Sequence, residues 1–370
     1  MSDAYCSMIH SGLELHFKGP KATAQHCCLR DTRFPIDIKT DFWEDSRFIP
    51  LREKNKQNVW APGCENCQSL EDTGQTSYRT GMNSGLAGNI LDSSGPKSIH
   101  LMFDISCNLA CRSCGTWLST FWQKHLKEHG EWNRPIGVPQ QHDNVITALE
   151  KLDLSNLQML VFAGGETLLG QSHWEVTKWL ADNVPNAKEQ LTLCFQTNGT
   201  QPIHLRNYEL INRFRLVKLH VSLDGIKQKF EYLRWPATWE QVVYNIMHIR
   251  KTAPSNVMFH IEETASIFNL FYLSELEDWV SKHFTTNREG DIVNHTKHVA
   301  RGIFNLGNCT QEYVDAMQTS NYKSLVPDNW KENPASVSSM IKEIEKFDDF
   351  RNQSFQHTFP EVAEFYARYL

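Results

Sequence analysis

From residue 98 onward the chain repeats one unit: a short β-rich run ending in small or polar residues, then a segment of helix length. The runs are SIHLMFDIS, LQMLVFAGG, LTLCFQTNG, LVKLHVSLDG, NVMFHIEET and DIVNHTKHV. Strands that alternate with helix-length segments argue for parallel βαβ units, and six of them predict an α/β fold, a partial (β/α)6 barrel. Between them NVITALEKL, SHWEVTKWLADNV, WEQVVYNIMHIRK and LSELEDWVSKHF carry apolar residues at three- and four-residue spacing, which predicts the outer helices. In such folds reactive groups gather where strands end and the next loops begin.

The flanks read differently. Residues 1–97 are loop-rich, with turn signals such as LEDTG and DSSGP, and are expected to form a module that a metal or cluster staples into order. Residues 98–303 are the expected barrel. Residues 304–370 regain helical character in SVSSMIKEIEKF and PEVAEFYARYL and are expected to cover it as a helical extension. A chain of 370 residues exceeds the usual single-domain size, and its net charge of -6 without a basic run argues against general nucleic-acid binding. No apolar stretch approaches the roughly 18 residues that cross a bilayer, and MSDAYC lacks the charged and apolar regions of a secretory signal. The expected location is the cytoplasm, with no membrane partner.

Ten cysteines in a reducing compartment point to metal or cluster ligation rather than disulfides. Cys6, Cys27, Cys28, Cys64 and Cys67 come first, Cys107, Cys111 and Cys114 make up CNLACRSC, and Cys194 and Cys309 stand alone. Three thiols are too few for the tetrahedral shell of a structural zinc and one short of a fully protein-ligated iron-sulfur cluster. The first strand runs straight into Cys107, so the three share one loop at a strand's carboxyl end. A zinc completed by a distant residue is the alternative, because Cys111 and Cys114 also have zinc-like spacing.

In this context C-x3-C-x2-C resembles the cluster loop of the radical S-adenosylmethionine enzymes. The resemblance implies that Cys107, Cys111 and Cys114 bind a 4Fe-4S cluster, with S-adenosylmethionine chelating the remaining iron through its amino and carboxylate groups. Reductive cleavage would then give methionine and a 5'-deoxyadenosyl radical; the cofactor supplies the hard chemistry and the protein supplies orientation. Gly164, Gly165 and Glu166 resemble the family's GGE motif, implied to receive the cofactor's ammonium group. Thr197 and Asn198 resemble its polar contact. Ser222 and Asp224, on one face by strand alternation, match positions that approach the ribose or carboxylate. Arg234 matches an arginine suited to the methionine carboxylate. The plain structural alternatives are a turn at Thr197 and Asn198, a helix cap at Asp224 and surface charge at Arg234. One departure concerns adenine: the family often has an aromatic residue before its third cysteine, where this chain has Ser113, which leaves Trp117 as a candidate.

YCSMIHSGLELHF, QHCCLRD and PGCENCQSLEDTGQTSYR together resemble the amino-terminal extension of family members with a twitch or SPASM-type auxiliary cluster. Cys6, one of Cys27 and Cys28, Cys64 and Cys67 would supply four thiolates, a full shell that favours electron transfer over substrate anchoring. A four-thiolate zinc is the alternative, and Ile9 and His10 replace the Pro-Trp often found after the first cysteine. The resemblance spans residues 1 to about 270. It implies hydrogen abstraction and oxidation or crosslinking of a peptide or protein side chain, with a reductant such as flavodoxin or ferredoxin. A radical epimerase or dehydrogenase of a small polar metabolite, and a non-catalytic zinc-binding interaction protein, are the alternatives. His220 shares strand parity with Ser222, and His260 with Glu262, so these are candidate substrate contacts. Cys194, within a strand, reads as a small buried hydrophobe.

Overall fold

The structure, a computed structural model, describes residues 4–27, 33–72, 74, 76–85, 93–138, 142–284, 295–300, 302–326 and 330–370. The chain forms two compact units, one of Met1–Ile105, Val138–Gln196 and Ile203–Lys218, the other of Ser106–Gly137, Thr197–Pro202 and Leu219–Leu370.

In the first unit, alternating apolar residues build strands β1 (Gly12–Lys18), β2 (Lys21–Gln25), β3 (Phe34–Ile36), β4 (Ser98–Asp104), β5 (Met159–Gly164) and β6 (Thr192–Thr197, whose last residue belongs to the second unit). Their order in the sheet is β3-β2-β1-β4-β5-β6. β1 runs parallel to β4, β4 to β5 and β5 to β6, while β1 with β2 and β2 with β3 are antiparallel. The register aligns Leu13, Ile99, Leu160 and Leu193 in one row across four strands, and Leu15, Leu101, Phe162 and Phe195 in the next. All eight are fully buried. Each contributes about 1.5–3 kcal/mol of transfer free energy, and a one-residue slip would turn a whole row to the other face. The helix Gln171–Asn183 covers this unit's core: Trp174 stacks on Phe195 at 5.4 Å, and His173 meets Phe162 at 5.5 Å.

The second unit takes over within β7 (Leu216–Ser222) and holds β8 (Val257–Ala265) and the parallel β9 (His295–Val299). Along β8 buried and half-buried residues alternate without a break. The runs expected to be strands 1 to 6 of the barrel are β4 to β9, the last starting at His295; positions 291–294 of its run lie outside the described residues. The four expected helices are Asp143–Leu149, Gln171–Asn183, Trp239–Thr252 and Leu273–Phe284.

The carboxyl-terminal region is helical. Its long helix Pro334–Arg351 starts on Asn333, whose side chain accepts from Ala335 N and Ser336 N at 3.2 Å, with proline at the first position, where its missing N–H costs nothing. Buried residues of this helix join Trp122, Tyr232, Phe268, Phe304, Phe355 and Phe359 in the core of the second unit. Phe268 is its hub, with ring centroids 5.6 Å from Tyr232, 5.1 Å from Phe304, 5.6 Å from Phe355 and 5.8 Å from Phe359. Among the described residues no helix is long and apolar enough to cross a membrane. Phe268→Ala should lower the unfolding free energy by about 3–5 kcal/mol in chemical denaturation; a loss under about 1 kcal/mol would show that this ring does not anchor the core.

Candidate functional site

Cys107 follows the end of β4 by three residues, and the segment after it is pinned residue by residue. Thr120 Oγ1 accepts from Cys107 N at 3.2 Å, Ser119 Oγ donates to Leu109 O at 2.6 Å, and Trp122 Nε1 donates to Cys111 O at 2.9 Å. Ser119 also caps the helix Thr120–Glu128, so one hydroxyl joins helix and loop. From the other side Ala110 N donates to Trp235 O at 2.8 Å and Arg112 N to Leu233 O at 2.7 Å. These bonds use up backbone groups that burial would otherwise leave unpaired, and they hold Cys111 buried with Cys107 and Cys114 half-buried.

The side chain between those two carbonyls points at the thiols. Arg234 Nη1 lies 3.9 Å from Cys111 Sγ, and Nη2 lies 2.8 Å from Asp224 Oδ2. Burial alone would lower the Arg234 pKa, but Asp224 and the nearby thiols outweigh it and raise it above the ordinary guanidinium value. Asp224 follows β7, accepts from Thr264 N at 2.8 Å through Oδ1, and has its own carbonyl held by Asn269 Nδ2 at 2.8 Å. Asn198 Nδ2 stands 3.9 Å from Cys107 Sγ and donates to Asn108 Oδ1 at 3.0 Å, and Asn108 donates to Thr200 Oγ1 at 2.8 Å. Thr197 Oγ1 accepts from Gly199 N at 3.1 Å. Ser222 ends β7 half-buried. The second unit thus draws Cys107, Cys111, Cys114, Asn198, Asp224 and Arg234 into one constellation.

This constellation fits a metal centre. Burial pushes the Cys111 thiol far above its ordinary pKa, Arg234 pulls it back, and Cys107 and Cys114 push it up further, so the three sulfurs sense one another. Such thiols keep their protons until a metal displaces them. The donors at Arg234 and Asn198 are the type that tunes thiolate sulfur.

Gly164, Gly165 and Glu166 belong to the first unit. Gly164 has φ +126°, and a Cβ there would lie 2.3 Å from Asp104 O, so only glycine fits. Gly165 N donates to that same carbonyl at 2.9 Å. Glu166 is buried and accepts from Leu168 N at 3.0 Å, and Thr167 Oγ1 donates to Gln196 O at 2.8 Å. Trp117 is 66% exposed, and a Cβ on Gly115 would lie 2.2 Å from its ring, so it is a surface ring lying over its own loop.

The second thiol set also lies in the first unit. Cys6, Cys27, Cys64 and Cys67 line one pocket beside Trp60 and Arg79. Cys28 lies outside the described residues. Burial lifts the Cys6 thiol to about 11, with Cys64 and Cys67 adding to the rise. Asn55 holds the wall, accepting from Cys6 N at 2.9 Å and donating to Ala4 O at 2.7 Å. Asn83 does the same for the next residues, accepting from Ser7 N at 2.7 Å and donating to Tyr5 O at 3.0 Å. Arg79 ties the helix Glu65–Asp72 to this segment through an ion pair with Glu71, a hydrogen bond to Tyr5 O and a contact over Trp60 at 4.9 Å. Four convergent sulfurs fit a fully protein-ligated centre. Sequence reasoning missed Asn55, Asn83, Asn108 and Arg79; only Asn108 has a signal, its place between two of the cysteines.

No family model and no curated protein matches the chain. Among solved structures it is similar to native anSMEcpe with bound AdoMet and Cp18Cys peptide, at 16% identity and a TM-score of 0.38 over 67% of this chain and 59% of that one. It is also similar to Streptococcus suis SuiB bound to precursor peptide SuiA, at 11% and 0.37 over 97% and 75%. A third likeness is to coproporphyrinogen III oxidase (HemN) from Escherichia coli, described as a radical SAM enzyme, at 13% and 0.35 over 68% and 51%. The chain thus spans 59% of the length of the first of these. Likenesses this distant decide neither fold nor function.

The Asp224–Arg234 pair gives a direct test of the site's construction. Asp224→Ala should cost about 3–5 kcal/mol by leaving a buried guanidinium without its carboxylate, whereas Asp224→Leu combined with Arg234→Met should cost clearly less. Equal losses in denaturant titrations would show that the pair is not what holds the segment.

Proposed function

We propose that the chain is a radical S-adenosylmethionine enzyme with an auxiliary iron-sulfur cluster, acting on a peptide or protein side chain. The reading rests on one observation above the rest: Cys107, Cys111 and Cys114 sit on one pinned loop, with Arg234 and Asn198 aimed at their sulfurs. When bound, the cluster and S-adenosylmethionine supply an electron and a 5'-deoxyadenosyl radical that abstracts hydrogen from substrate.

The residues would divide the work as follows. Cys107, Cys111 and Cys114 hold the cluster and leave one position for the cofactor. Arg234 stabilises thiolate charge at Cys111, and Asp224 fixes that guanidinium. By their resemblance to the family's GGE motif, Gly164, Gly165 and Glu166 are the proposed receivers of the cofactor's ammonium group. Cys6, Cys27, Cys64 and Cys67 hold the second cluster with every position filled, which suits it to accept an electron from the substrate radical. That role favours oxidation or crosslinking of the substrate, with flavodoxin or ferredoxin as the class of external reductant.

Protein purified without oxygen should be brown, absorb broadly near about 400 nm and carry roughly eight irons per chain, and with reductant and S-adenosylmethionine it should form 5'-deoxyadenosine. Cys111→Ala should lose that product, while Cys67→Ala should fall to roughly four irons and keep it. A colourless zinc protein, or product at the wild-type rate from Cys111→Ala, overturns the proposal.

A further inference from the structure

β7 and β8 carry a second group of ligating side chains that the thiol chemistry does not use. His220 stands two residues before Ser222 on β7, and His260 and Glu262 stand two apart on β8, so strand alternation puts the latter pair on one face. Leu223 N donates to Glu262 O at 2.9 Å, which brings the strands together at this level. His220 Nδ1 lies 2.7 Å from Glu262 Oε1, and the His220 and His260 rings lie 4.6 Å apart at 24°. One ligand atom from each of the three falls within 4.8 Å of the others.

We infer that His220, His260 and Glu262 form a binding site for one divalent first-row metal ion, distinct from both thiol sets. Two imidazoles and one carboxylate are the donor set of three-ligand zinc and non-haem iron sites, which keep positions open. Ligand atoms around such an ion stand about 3–3.5 Å apart, so modest side-chain rotations close the set. The side chains of His220 and Glu262 keep 18% and 15% of their surface exposed, enough for water or a substrate donor atom to complete the shell. The odd-numbered residues of β8 are buried in the core and supply a fixed base. On β8, Thr264, whose N–H donates to Asp224 Oδ1, stands two residues beyond Glu262, roughly 7 Å along the strand at about 3.3 Å per residue. A substrate coordinated there would be anchored one or two residues' depth from the thiol loop's own partner. The site stands on β7 and β8 alone and does not depend on the loop holding a cluster.

Manganese is the suitable probe, because thiolates hold this hard ion weakly. Full-length protein with its cysteine sites loaded, chelated and then titrated with Mn2+ under exclusion of oxygen, should remove one free Mn2+ signal per chain in electron paramagnetic resonance. The bound ion should show nitrogen couplings from coordinated imidazole. His260→Ala and Glu262→Gln should each weaken binding at least tenfold. Absence of binding, bound Mn2+ without nitrogen coupling, or unchanged affinity in both variants overturns the inference, and the nitrogen couplings of the wild-type protein decide it even where a variant fails to fold.

Discussion

The second unit turns on a single guanidinium. Residues 233 and 235 lend their carbonyls to the backbone of the cysteine loop, and the residue between them, Arg234, sends its side chain to Cys111 and Asp224. Three functions follow from this one alternation: the loop is held, its central sulfur faces a positive charge, and that charge is compensated. A lysine could not serve both contacts, because the planar fork presents two donor directions at once. Asp224 extends the arrangement to Thr264 and Asn269, so the thiol loop inherits its position from β7 and β8.

The two thiol sets solve the same problem by different means. Around Cys111 the backbone is clamped and a buried charge pair stands behind the sulfur. Around Cys6 the work falls to side-chain amides: Asn55 and Asn83 each accept one backbone N–H and donate to one carbonyl. The charged residue that lines this pocket, Arg79, pairs with Glu71 and donates to Tyr5 O. Both pockets carry an arginine paired with a carboxylate, Arg234 with Asp224 beside Cys111 and Arg79 with Glu71 beside Cys6, so it is the way the backbone is held that sets the two apart.

Much of this was legible from pattern. The first five β-rich runs became strands because each carries apolar residues, continuous or alternating, bounded by turn residues, and the cysteine loop lies directly after the first of them; the sixth, His295–Val299, is mostly polar. β1 was hidden although Leu13, Leu15 and Phe17 alternate with Glu14 and His16; turn-rich neighbours on both sides drown a signal five residues long. The partner of Arg234 was beyond the sequence, since only the fold brings Asp224 within 2.8 Å. Trp117 lies three residues before the helix that begins at Thr120, so its ring stays exposed on its own loop and outside that helix's buried stripe. Between Cys27 and Cys28 no rule of spacing chooses; Cys27 lines the pocket, and Cys28 lies outside the described residues.

The clamps on the cysteine loop come from far along the chain. Arg112, inside the loop, donates through Nη2 to Asp348 Oδ1 at 2.5 Å, 236 positions away, and its guanidinium lies 4.1 Å over the Tyr232 ring. A ribosome adding about 5–20 residues per second needs roughly 12–50 seconds to cover that interval. Throughout that time the three thiols wait on an unfinished wall. The contact between Arg112 and Asp348 therefore forms only after the helix Pro334–Arg351 has been made, long after the three thiols have been added to the chain.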